Sequence, residues 1–95
     1  MTNYKVIYEF SFPNTERIIL GPGNKFLKII EDFFQEEIII NFQEVKISSD
    51  SKNEEQIYLL FKTLESIVNN NYDLTEIDLI SILNNLTKTN FRQII

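Results

Sequence analysis

Both glycines of this 95-residue chain fall within one tripeptide, Gly21, Pro22 and Gly23, and this fixes where the backbone turns most sharply. Glycine reaches angles that other residues avoid, and proline fixes the residue between the two. Every other turn has to be made without glycine. What lies on either side is read from the spacing of apolar residues.

Before the bend, Tyr4, Val6, Tyr8, Phe10 and Phe12 alternate with Lys5, Ile7, Glu9 and Ser11, the period of two of a strand with one buried face. Pro13 and Asn14 break that pattern. Asn14 or Thr15 can cap a short helix through Leu20, with Glu16 in its first turn. After the bend, Asn24 starts a second helix whose apolar stripe is Phe26, Ile29, Ile30, Phe33 and Phe34, with Lys25, Lys28, Glu31, Asp32 and Gln35 facing away.

Ile38 to Phe42 is β-branched and apolar, and Val45 and Ile47 alternate with Glu44, Lys46 and Ser48, so two further strands pair through a tight turn near Gln43. Ser51 with Glu54 matches a capping box for a long helix with the stripe Ile57, Leu60, Phe61, Leu64, Ile67 and Val68. Asn69, Asn70 and Asn71 end it, because asparagine tolerates left-handed angles. Thr75 with Asp78 opens a last helix that buries Leu79, Ile80, Leu83 and Leu86, and the tail from Thr87 is expected to fray. The expected fold is therefore α+β, in the order strand, helix, helix, strand, strand, helix, helix. It forms one domain over residues 1–95, with its core at about 4–86 and a tail at 87–95.

Composition narrows the chemistry. The chain has no cysteine and no histidine, which excludes disulfides, thiolate sites, thiol nucleophiles and the commonest general base. No cofactor and no metal site is expected. No basic segment followed by a hydrophobic stretch opens the chain, and no apolar run is long enough for a membrane span, so no membrane partner and a cytoplasmic setting are expected. A net charge of −5 counts against strong nonspecific affinity for nucleic acid but permits a local basic edge. The heavy use of Ile, Asn and Lys fits an AT-rich bacterial genome.

The string RIILGPGNKFLKII, from Arg17 to Ile30, resembles the centre of a KH domain, where an apolar run leads into a G-x-x-G loop and a helix. The following IIINFQEVKIS and the helix from Glu54 keep the same order. More narrowly, the chain is similar over roughly Tyr4 to Leu86 to the amino-terminal KH-like domain of PhoH-like (phosphate-starvation-inducible type) ATPases. NKFLKIIEDFF, EEQIYLLFKTLESIV and the helix opened by Leu74 and Thr75 fall where that family has them. The resemblance implies a KH-like three-stranded antiparallel sheet with helices packed on one face, β-α-α-β-β-α plus a C-terminal helix. It also implies a loop that clamps the backbone of single-stranded RNA.

In that family the nucleotide-binding motif lies in a following domain. No G-x-x-x-x-G-K-[ST] occurs here, so the resemblance implies a non-catalytic accessory domain, either a piece of a longer ATPase or a shortened relative. The sequence departs from the family pattern in having Asn24 at the fourth loop position, and Asn41, Phe42 and Gln43 in place of an Arg-Gly pair at the hairpin.

The candidate nucleic-acid-binding residues are Gly21, Pro22, Gly23, Asn24, Lys25 and Lys28. Backbone N–H groups ahead of a helix, with two lysines beside them, attract phosphate, while the same residues also suit a plain turn beside two solvated lysines. Phe26, Phe33, Phe34 and Phe61 are assigned to the core, and Tyr4, Tyr8 and Tyr58 are candidates for a groove rim. Glu36 with Glu37, and Glu54 with Glu55, are adjacent carboxylates that point apart and lack a partner base, so no catalytic residues are assigned. Single-stranded RNA is the expected partner, with a following ATPase domain or self-association beside it. The alternative is a protein-interaction or oligomerisation module that binds no nucleic acid.

Overall fold

The computed structural model describes the backbone of residues 3–94 and the side chains of residues 3–86. In chain order the elements are β1 (Tyr4–Glu9), α1 (Pro13–Leu20), α2 (Lys25–Phe34), β2 (Ile39–Asn41), β3 (Glu44–Ser48), α3 (Glu54–Asn69) and α4 (Glu76–Ile94). A single 3₁₀ turn, Pro22–Asn24, separates α1 from α2. This is the α+β order expected from the spacing. The three strands form one antiparallel sheet in the order β1-β3-β2.

Alternation in β3 sets the two faces of the sheet. Val45 and Ile47 are fully buried, whereas Glu44, Lys46 and Ser48 lie half-buried on the other side. β1 does not keep its alternation. Its register slips between Val6 and Tyr8, so that Lys5 pairs with Ile47 and Tyr8 with Val45, leaving Ile7 as the extra residue of a bulge. A one-residue insertion reverses the phase of everything beyond it. The single face expected from Tyr4 to Phe12 is thereby split: Tyr4, Val6 and Phe12 are exposed, while Ile7, Tyr8 and Phe10 pack into the core.

The helices close over Val45 and Ile47. α2 buries Phe26, Ile30 and Phe34, and α3 buries Ile57, Leu60, Phe61 and Leu64. α4 adds Leu79 and Leu83, and α1 adds Ile19. Two residues assigned to buried stripes sit elsewhere. Phe33 is exposed at the edge of α2, its ring edge-on to Phe34 at 5.1 Å, and Ile80 points outward from α4. Both lie beside a stripe narrower than the apolar spacing suggests.

The ends of the helices correct three details. Phe12, not Asn14 or Thr15, caps α1, and Pro13 occupies the first helical position, where its missing N–H costs nothing. Thr15 is instead buried, its hydroxyl donating to Asn69 Oδ1 at 3.0 Å. Asn53 precedes α3, and Ser51 bonds Glu36 Oε1 at 2.6 Å and accepts from the Asn53 N–H, so no capping box forms with Glu54. At α4 the expected cap is present, with the Asp78 N–H donating to Thr75 Oγ1 at 3.1 Å. Asn71 takes the left-handed geometry expected after α3. The tail expected to fray from Thr87 instead continues as helix through Ile94, with its side chains outside those described.

Candidate nucleic-acid interface at the glycine bend

α1 ends because Gly21 turns to a φ of +77°, its N–H donating to the carbonyls of Arg17 and Ile18 at 3.3 and 3.2 Å. The position admits only glycine. A Cβ there would lie 2.6 Å from Cγ of Phe26, so the Phe26 ring packs directly against bare backbone. Gly23 and Asn24 follow, both left-handed at a φ of 60°. A Cβ on Gly23 would meet nothing within 4 Å, so the space above that residue is open.

Pro22, Gly23, Asn24, Lys25 and Lys28 are exposed and Gly21 is half-buried, so the candidate residues gather on one accessible corner of the fold. Their amides are largely spent. The Asn24 N–H donates to the Gly21 carbonyl at 3.1 Å, the Lys25 N–H donates to the Pro22 carbonyl, and Pro22 has no N–H to offer. A cradle of bare amides ahead of α2 is therefore not what the bend presents. What it presents is a low, open backbone with cationic side chains beside it.

Those cations are not equivalent. Lys25 Nζ lies 3.1 Å from Glu76 Oε1, at the start of α4, an ion pair that a phosphate would have to compete with. Lys28, one turn further along α2, makes no ion pair among the described residues and stays exposed. Arg17 adds a third positive charge, and together with Ile18, Gly21, Pro22, Phe26 and Leu74 it lines an open depression of about 490 Å³ beside the bend.

The tyrosines divide. Tyr8 turns inward rather than lining a rim: its hydroxyl donates to the carboxylate of Glu65, and its ring stands edge-on to Phe10 and Tyr58 at 5.5 and 5.6 Å. Burial, and then the Glu65 carboxylate, hold the Tyr8 hydroxyl well above its ordinary pKa. Tyr4 is exposed and bonds Glu37, and Tyr58 is exposed on α3. The adjacent acids face different partners. Glu36 accepts from Ser51 and Asn53, Glu37 from Tyr4, and Glu54 pairs with Lys5.

Two residues escaped the sequence reading. Glu65 is buried, its second oxygen accepting the Ser11 N–H at 2.7 Å, although it sits at a charged position between the apolar residues of α3. Phe42 stands almost wholly in solvent on the β2–β3 turn, and the apolar run Ile38 to Ile40 just before it disguises it as the end of a strand. Comparison of the chain with family models, with curated proteins and with solved structures finds no match, so the functional argument rests on these residues.

Proposed function

We propose that this chain is the non-catalytic KH-like accessory domain of a PhoH-like ATPase, holding single-stranded RNA weakly at the bend Gly21, Pro22, Gly23 and Asn24 with Lys25 and Lys28. The carrying observation is the open space above Gly23, with Lys28 on the following helix making no ion pair among the described residues, on a bend that joins the two helices of a β-α-α-β-β-α fold. Apart from its chain neighbours Pro22 and Asn24, nothing lies within 4 Å of where a Cβ on Gly23 would sit, which leaves room for a phosphate, and Lys28 supplies the charge. Because the amides of Gly21, Asn24 and Lys25 already have acceptors, attraction comes from side-chain cations. Such contacts are weak and sensitive to salt.

The proposed setting is cytoplasmic. Among the described residues no helix is long and apolar enough to cross a membrane.

Chemical-shift mapping with a short oligouridine at low salt tests the proposal. Saturable shifts at Gly23, Asn24 and Lys28 are expected, and shifts scattered over the surface or absent would remove it.

A second reading, a protein-interaction or assembly module, is favoured by Ile77 and Ile80, which stand exposed on α4. Leu79 and Leu83 belong to the core, so a partner docking on this helix would meet the two isoleucines instead. Light scattering separates the readings: a monomer that binds oligouridine favours the first, and a stable dimer broken by Ile77→Glu favours the second.

A further inference from the structure

The β2–β3 hairpin turns through Phe42 and Gln43, at φ of +50° and +66°. Two successive positive angles mark the two-residue hairpin turn that Asn-Gly normally fills, because Cβ atoms disfavour this geometry. Neither residue is glycine or asparagine. Phe42 is also 89% exposed, so its ring buries almost no surface that would offset the backbone strain.

Gln43 holds the backbone of that turn in place. Its N–H donates to Glu16 of α1, its carbonyl accepts the Phe10 N–H at 2.8 Å, and its side-chain amide donates to the Phe10 carbonyl at 2.8 Å. With the turn tied to Phe10, just after β1, and to α1 at three points, its backbone is held and the Phe42 ring stands in solvent. Phe12, 59% exposed, lies two residues beyond Phe10 at the same end of the sheet.

The charge beside this end of the sheet is negative. Glu9 of β1 pairs directly across from Glu44 of β3, and like charges so placed repel. Lys46 lies 3.6 Å from Glu44, and Glu9 makes no ion pair among the described residues. Lys46 therefore balances Glu44 alone, and Glu9 is left without a cation among the described residues. Phosphate is repelled here, whereas a cation able to reach both the ring and the carboxylates is favoured. Guanidinium fits both demands, since its plane stacks on an aromatic face while its N–H fork meets carboxylates; a lysine ammonium offers no such plane.

We infer that the hairpin tip is a docking surface for an arginine-bearing segment of a partner protein, the guanidinium stacking on Phe42 and pairing with Glu9 and Glu44. The surface is separate from the glycine bend and does not depend on the proposed RNA binding. Phe42 and Gln43 form it by accepting a turn geometry that would otherwise favour glycine or asparagine.

The test titrates the ¹⁵N-labelled chain with the acetylated, amidated peptide Gly-Arg-Gly-Arg-Gly and with its citrulline counterpart, which keeps the shape and loses the charge. Saturable shifts at Glu9, Phe42, Gln43 and Glu44 are expected with the arginine peptide alone, weakened roughly threefold or more by Phe42→Ala and by Glu9→Gln. Should Phe42→Ala disturb folding, Phe42→Asn, which suits the turn, gives the same comparison. No saturation at about 5 mM peptide, equal binding of the citrulline peptide, or variants that bind like the wild type would each overturn the inference.

Discussion

Phe26 leaves no room for a side chain at position 21, whereas position 23 opens onto solvent, so the two glycines should fail differently. Gly21→Ala meets both the ring and a left-handed backbone, and is expected to cost about 2–4 kcal/mol in chemical denaturation. Gly23→Ala meets the backbone strain alone and should cost about 1 kcal/mol. Phe42→Asn, by contrast, should raise stability by about 0.5–1 kcal/mol, since asparagine tolerates the angle and little packing is lost. Tyr8→Phe strips Glu65 of one of its two donors and should cost about 1–3 kcal/mol at neutral pH. The Tyr8 hydroxyl titrates above its ordinary value when folded, so this contribution is intact below about pH 10 and fades as pH rises beyond it. Denaturation of wild type and Tyr8→Phe across that range should show the gap between them narrowing.

At the scale of elements, the helices were legible because their apolar residues recur at three and four, and β3 was legible because it alternates cleanly between core and solvent. β1 was not. Ile7 is as apolar as the residues on either side of it, so nothing in the alternation marks it as the extra residue; only pairing with β3 shows the slip. The capping signals were equally ambiguous in sequence. Thr75 caps α4, yet Ser51 spends its hydroxyl on Glu36 across the chain. Thr75→Ala should accordingly lower stability by about 1 kcal/mol, measured by thermal melting, through loss of that cap. The bend and its lysines were visible as residues, but the Lys25–Glu76 pair was not, because it joins two helices whose approach depends on the packed core.

Across the whole molecule, the net charge of −5 opposes a polyanion, and Arg17, Lys25 and Lys28 are the cations at the bend that would offset it. With Lys25 shared with Glu76, few phosphates can be neutralised. If two are, the logarithm of the affinity for single-stranded RNA should fall with the logarithm of salt at a slope of about −1.4, and loss of one contact should reduce that to about −0.7. The most direct measurement is fluorescence anisotropy of a labelled oligouridine against wild type, Lys28→Gln and Gly23→Asp over a range of salt. Saturable binding with a dissociation constant of roughly 10⁻⁴–10⁻⁶ M is expected, with the slope about halved by Lys28→Gln and binding lost in Gly23→Asp while both variants stay folded. An unchanged anisotropy for the wild type at low salt, or variants indistinguishable from it, would contradict RNA binding at the bend.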